Sequence, residues 1–239
     1  MRNNNVPYSV LATFYDKLIS GYPYEKATSK ILSEIKGKGI DLGTGSGKFA
    51  IEISKKGHAV VGVDSSSQML EIARENAKKA GVKPIFAQND IANLEFSRID
   101  FVMAMCDVFN YLPSIREFEK VATKVYNALS CGGKFIFDIS SEYKLLKMAN
   151  EQYFEDRDDI TYLWCNSLVR KKLVMSIAYF IPQDGDNYIR RDETHEMSVY
   201  KTEELVSVLQ NIGFKVKLFG DKLTKLTENS QRVFFFCEK

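Results

Sequence analysis

The stretch Asp41-Leu42-Gly43-Thr44-Gly45-Ser46-Gly47 decides how the rest of this 239-residue chain is read. It ends a short segment of strand character at Ile40-Asp41-Leu42 and opens a segment of helical spacing, Lys48 to Lys56. Three glycines at alternate positions let the backbone turn sharply and come close to a ligand, and the helix start behind them offers N–H groups with no partner of their own. Two other glycine loops fail on spacing. The phosphate-binding loop of nucleoside triphosphatases needs a glycine where Leu42 stands and a Ser or Thr where Phe49 stands. The dinucleotide fingerprint needs a small residue at position 48, which is Lys48.

Outward from the loop the pattern is that of an α/β protein. A strand from His58 to Asp64 leads into a helix from Ser66 to Ala80, with Ser65 or Ser66 as its cap, Met69, Leu70, Ile72, Ala73 and Ala77 along one side, and Gly81 after its end. Pro84 to Gln88 reads as a third strand. Ile99 to Met105 is a continuous apolar run of the kind buried on both faces in parallel sheets, followed by a helix at Ile115 to Leu129 and a fifth strand at Lys134 to Ile139. Ahead of the loop, Tyr8 to Ile19 and Glu25 to Ile35 read as a helical cap broken at Gly21-Tyr22-Pro23. Beyond Ile139 the rhythm changes. Three long strand-like stretches run from about Ile160 to Tyr200, with turns at Arg170-Lys171-Lys172 and Pro182 to Gly185. A helix at Thr202 to Asn211 and two strands, Lys215 to Phe219 and Arg232 to Cys237, close the chain as a hairpin on the sheet edge.

The expected architecture is therefore a doubly wound, Rossmann-like, seven-stranded and mostly parallel sheet, with an N-terminal helical cap and a small antiparallel β insertion. The core takes residues 1–141 and 200–239, with the cap at 1–37, and the insertion takes 142–199. Hydrophobic residues at 45% and charged residues at 27% suit a globular protein. With 33 basic against 31 acidic side chains the formal charge is +2, so no strong overall field draws the chain to nucleic acid or to an anionic membrane. The N-terminus lacks a signal core and no apolar run can span a bilayer, which points to the cytoplasm. Cys106, Cys131, Cys165 and Cys237 have neither zinc-site nor disulfide-framework spacing, and read as free, mostly buried thiols. No metal site is expected.

Asp41 to Gly47 matches residue for residue the first motif of the class I S-adenosylmethionine-dependent methyltransferases, acidic-x-Gly-x-Gly-x-Gly, and the chain resembles that family over most of 8–140 and again over 202–239. It is most similar to a bacterial small-molecule subset with a β insertion after the fifth strand. The resemblance implies S-adenosylmethionine as cofactor and S-adenosylhomocysteine as product. It places Asp41, Gly43, Thr44, Gly45 and Gly47 against the methionine part, and Asp64 on the ribose hydroxyls with Ser65 and Met69 beside it. Asn89, Asp90 and Ile91 fall at the adenine, and Cys106, Asp107 and Tyr111 at the methionine moiety and the entrance to the acceptor. Tyr15, in Phe14-Tyr15-Asp16, falls on a helix that covers the cofactor. A ribose clamp at Asp64 is also sensible chemistry, since one carboxylate can accept from two hydroxyls and the spacing from the loop suits it.

Methyl transfer needs positioning, exclusion of water and, for some acceptors, loss of a proton. Alternation over Ile189 to Val199 puts Arg191, Glu193 and His195 on one strand face with Ile189, Met197 and Val199. His195 or Tyr143 is expected to handle a proton, and Arg191 to fix a carboxylate, in a pocket built by the insertion and the cap. Asp138, ending the fifth strand, is a further group on the acceptor side. His58 is given no function. The expected partner is a small-molecule acceptor methylated on oxygen or nitrogen, and the expected assembly a monomer or homodimer. The alternatives are a tRNA or rRNA methyltransferase and a non-catalytic cofactor binder. Against the first stand Asn110-Tyr111-Leu112-Pro113 in place of an Asn/Asp-Pro-Pro-aromatic motif, and the lack of a Pro-Cys nucleophile.

Overall fold

The computed structural model describes Ala12 and residues 21–95, 98–185 and 187–239. Most of the expected first helix, including Tyr15, lies outside the described residues. The elements are α1 (Tyr24–Leu32), β1 (Lys38–Leu42), α2 (Lys48–Lys55), β2 (Ala59–Asp64), α3 (Ser67–Lys79), β3 (Ile85–Gln88), β4 (Ile99–Ala104), α4 (Ile115–Ala128) and β5 (Leu129–Ser140). There follow α5 (Glu142–Met148), β6 (Gln152–Asp156), β7 (Thr161–Val169), β8 (Lys172–Pro182), β9 (Tyr188–Ser198), α6 (Thr202–Ile212), β10 (Lys215–Phe219) and β11 (Arg232–Glu238).

Seven strands form one sheet in the order β10-β11-β5-β4-β1-β2-β3. All pair in parallel except β11, which runs antiparallel to both β5 and β10. The apolar run of β4 is buried along nearly its whole length because helices cover both faces. β1 lies between β2 and β4, so connections leave it in opposite directions and open a crevice at the carboxyl ends of these strands, where open α/β sheets bind ligands. On one face Phe109, Phe118, Phe135, Phe137 and Phe235 are completely buried, with Phe137 and Phe235 stacked at 4.4 Å between ring centroids. Each such ring contributes roughly 2–3 kcal/mol by leaving water.

β6 to β9 form a second, antiparallel sheet of four strands. One fully buried side chain ties it to the core. Asn110 Nδ2 donates to the carbonyls of Ser140, at the end of β5, and Ser198, at the end of β9, while its Oδ1 accepts from the Ser140 N–H at 3.0 Å. Ser198 Oγ and Tyr200 OH both donate to the Leu112 carbonyl. The hairpin of β7 and β8 turns on Arg170 and Lys171, both at positive φ, in the two-residue geometry that twisted strands favour.

Two elements depart from the sequence reading. The second sheet has four strands where three were expected, because β6 is an exposed edge strand whose burial does not alternate. α5, of seven residues, is too short to show a helical period. The cysteines also differ in part: Cys237 is buried, but Cys131 and Cys165 are exposed. Among the described residues no helix is long and apolar enough to cross a membrane.

Candidate active site

The glycine loop leaves β1 with Gly43, Gly45 and Gly47 all at positive φ. Each has its own reason. A Cβ on Gly43 would stand 2.5 Å from Val108 Cγ2, and one on Gly47 would press on Phe86 and Ala73, so these two glycines pack the loop against its neighbours. At Gly45 the nearest atom to an added Cβ is Met69 Cε at 3.8 Å, so this glycine faces open space. Beneath the loop Asp41, 2% exposed, accepts from Thr44 Oγ1 at 2.6 Å. Burial pushes its carboxyl up to about 7, against the pull of that bond and of the Ala50 N–H. Asp41 and Thr44 thus brace the loop from behind.

Asp64 ends β2 and faces the loop. Its Oδ2 accepts from the Gly45 N–H and its Oδ1 from the Ser66 N–H, both at 2.9 Å. Ser66 in turn caps α3, its Oγ accepting from the Met69 N–H at 3.2 Å. Burial raises the Asp64 carboxyl, and the backbone donors offset part of that rise. These residues line a cavity of about 330 Å³ together with Ser65, Met69, Asn89, Asp90, Ile91, Cys106 and Tyr111. Ten of the residues expected at the cofactor therefore meet in one place. Asp41, Thr44 and Gly47 lie behind the wall, and Asp107 lines the neighbouring cavity. Met105, Val108 and Leu112 complete the lining. They are apolar, and nothing in the pattern separates them from core residues.

After β4 the chain passes through Cys106 and Asp107, both at φ 67°, a conformation that costs a non-glycine residue roughly 1–2 kcal/mol. The Cys106 N–H donates to Asp138 Oδ1 at 2.7 Å, and Tyr22 OH donates to the same oxygen. Arg232 reaches both Asp107, with Nη1 2.6 Å from Oδ1 and Nη2 3.1 Å from Oδ2, and Asp138. Burial works against ionisation of both acids. At Asp107 the guanidinium prevails and holds the carboxyl below its usual range, whereas Asp138, also repelled by Asp107, is raised. Arg232 had no sequence signal beyond its place at the start of the last strand.

This cluster forms one wall of a second cavity, of about 620 Å³. Lys144, Asp221 and Lys222 extend the charged wall, while Trp164, Met175, Ile177 and Met197 from the second sheet, with Leu145 and Met148, make the opposite one apolar. Burial lowers the Lys144 ammonium, whose Nζ donates to Ser140 Oγ at 2.9 Å. Cys106 and Tyr111 belong to both cavities. His195, 1% exposed, also lines the second cavity, with Nδ1 3.0 Å from Tyr111 OH and Nε2 3.0 Å from Glu193 Oε1. Tyr143 is 40% exposed on α5 and Arg191 is exposed near the far end of β9, so neither reaches either cavity.

The donor set of the first cavity suits a nucleoside carrying an amino acid side arm: a carboxylate for ribose hydroxyls, an exposed Asn89-Asp90 turn beside Ile91 for a base, and an open glycine backbone. Known proteins share the family and the fold of this chain. A model of a methyltransferase domain matches residues 40–133. A protein of Geobacillus sp. strain WCH70 that carries a methyltransferase name is 32% identical over 97% of this chain and 99% of its own length. Among solved structures, an S-adenosylmethionine-dependent methyltransferase from Clostridium acetobutylicum superposes with a TM-score of 0.87, at 29% identity and covering 97% of this chain and 98% of that one. CalS10 of Micromonospora echinaspora, an amino pentose methyltransferase solved with S-adenosylmethionine, shares the fold at a TM-score of 0.75 and 14% identity, covering 98% of each chain.

Proposed function

The chain belongs to the S-adenosylmethionine-dependent methyltransferases, and on that premise we propose that it methylates an oxygen or nitrogen atom of a small molecule held in the 620 Å³ cavity. The observation that carries this reading is the meeting of the two cavities at Cys106 and Tyr111: a ligand in one can touch a ligand in the other. In this reading residues 142–199 supply the apolar wall of the acceptor site, and the name of CalS10 as an amino pentose methyltransferase is consistent with a small acceptor.

S-adenosylmethionine supplies an activated methyl group and leaves as S-adenosylhomocysteine. The residues of the chain do the rest. Asp64 exchanges its bonds to the Gly45 and Ser66 N–H groups, in part, for the ribose hydroxyls, and Asp90 with Ile91 takes the adenine. The apolar face of the second sheet excludes water from the acceptor, and His195 provides a proton acceptor beside it. Tyr143 and Arg191 have no part in this reading.

Calorimetric titration with S-adenosylmethionine, S-adenosylhomocysteine and NAD, beside an Asp64→Ala variant, tests the cofactor assignment. Both sulfur compounds are expected to bind the wild type in the micromolar range, NAD not at all, and the variant at least tenfold more weakly. Binding of NAD alone would overturn the assignment. Methyl transfer from labelled S-adenosylmethionine to a mixture of small phenols, hydroxy acids and amino sugars then tests the acceptor class.

A further inference from the structure

Resting on that reading, we infer that the acceptor is an amphipathic carboxylic acid, its carboxylate held by Lys144 while its apolar body lies on the second sheet. The charged wall of the 620 Å³ cavity offers open donors, whereas its carboxylates are already engaged. Asp107 has both oxygens on the Arg232 guanidinium. Asp221 has both on backbone N–H groups, Oδ1 accepting from Gln231 and Arg232 and Oδ2 from Gln231. Lys144 is the contrast. Its ammonium has three N–H groups, of which one goes to Ser140 Oγ, and among the described residues it forms no ion pair. Asp107, Asp138 and Asp221 attract it without touching it. An anionic guest therefore finds donors on this wall, and a cationic one finds no open carboxylate.

The position is built in advance. Ser141 caps α5 by accepting from the Lys144 N–H at 3.1 Å, and Ser140, which takes the ammonium at 2.9 Å, is itself clamped by Asn110. Lys144 is thus fixed at its backbone and at its tip. It lines the second cavity and not the first, so it holds the carboxylate away from the cofactor and leaves the rest of the acceptor to reach Cys106 and Tyr111. Lys222 brings a second, exposed ammonium to the same wall. It and Leu223 stand at φ 52° and 59°, a strain that two non-glycine residues carry in the turn beside the cavity. Opposite, Trp164, Met175, Ile177 and Met197 offer an apolar face and keep water from the pair, which strengthens it. Burial disfavours the Lys144 ammonium, and an anion beside it adds to the support that the three aspartates give from a distance.

Probes of one skeleton separate the classes: para-hydroxyphenylpropionate, the corresponding amide and the corresponding amine. Each is titrated against the protein saturated with S-adenosylhomocysteine, with binding read by calorimetry and by Trp164 emission. The carboxylate is expected to bind at least tenfold more tightly than the amide, the scale of one hydrogen bond to a charged group, and the amine more weakly still. Lys144→Met keeps an apolar stem of similar length and should bring the carboxylate down to the affinity of the amide. Equal binding of the three, a preference for the amine, or a carboxylate preference that survives Lys144→Met overturns the inference. So does the absence of binding by all three at millimolar concentration. The wild-type comparison stands whether or not the variant folds. Titration of the same samples with S-adenosylhomocysteine reads the cofactor site by itself. Failure there is failure of the cofactor assignment, whereas an intact cofactor site without a carboxylate preference is failure of this inference alone.

Discussion

The backbone N–H of Cys106 donates to Asp138 Oδ1 at 2.7 Å, and this bond pins the left-handed turn on which both cavities meet. Asp138 is fully buried and also faces Arg232 and Tyr22. Asp138→Ala therefore leaves a buried guanidinium one partner short and releases the Cys106–Asp107 turn, for an expected loss of about 3–5 kcal/mol. Asp138→Asn keeps an oxygen for the Cys106 N–H and leaves Asp107 to Arg232, so it should lose less than half as much. Urea unfolding measures both, and equal losses for the two variants would show that the turn does not depend on that bond.

The three loop glycines should separate on substitution by alanine. Gly43→Ala and Gly47→Ala push a Cβ into Val108 or into Phe86 and Ala73 in addition to the strain of positive φ, and should destabilise the fold by about 2–4 kcal/mol. Gly45→Ala meets nothing nearer than 3.8 Å and should cost only about 1–2 kcal/mol of strain. In the proposed function its methyl group stands in the cofactor's path, so S-adenosylmethionine affinity is what it should lose, by tenfold or more. Thermal unfolding with calorimetry distinguishes the three, and a Gly45→Ala protein that binds like wild type would remove that glycine from the cofactor site.

Asp41 predicts a pH signature. Its carboxyl is pushed up to about 7 in the fold, against an ordinary value near 4 in the unfolded chain. Between those values the folded state holds a proton that the unfolded state has lost, so this group's contribution to stability falls as pH rises from about 4 to about 7 and is level above and below. The slope is at most about 1.4 kcal/mol per pH unit. Asp41→Asn keeps an acceptor for Thr44 Oγ1 and has no proton to lose. The variant should gain on the wild type between pH 5 and pH 8 in urea unfolding, by about 2–3 kcal/mol at most. A stability difference that is the same at both pH values would show Asp41 ionised in the fold throughout.

What the sequence made legible follows from local pattern. The glycine loop and Asp64 at a strand end are short-range signals read from spacing, Asn89-Asp90-Ile91 at another strand end was implied by the family resemblance, and the sheet brings them to one crevice because its order reverses at β1. Arg232 and Lys144 were invisible as site residues. They reach the second cavity from the start of β11 and from α5, and their link to Asp107 and Asp138 spans chain separations that no local pattern encodes. The face shared by Glu193 and His195 was legible from alternation, whereas its contact with Tyr111 depends on where the second sheet docks, which Asn110 fixes through Ser140 and Ser198. Arg191 was grouped with them by the same alternation, but near its end the strand runs out past the cavity.

Trp164 is the chain's one tryptophan, half-buried on the inner face of the second sheet with Nε1 donating to Asn166 Oδ1 at 2.7 Å. It lines the 620 Å³ cavity and not the 330 Å³ one. An acceptor that displaces water from its indole should shift the emission to the blue or quench it, while S-adenosylmethionine alone should leave it almost unchanged. Fluorescence titration of the protein saturated with S-adenosylhomocysteine is thus a direct screen for the acceptor. Trp164→Phe should keep cofactor affinity within about twofold and weaken the acceptor by about 1–2 kcal/mol through lost apolar contact. If the cofactor alone moves the emission as far as any acceptor does, or if a methylated acceptor leaves it still, the second cavity is not where that acceptor binds.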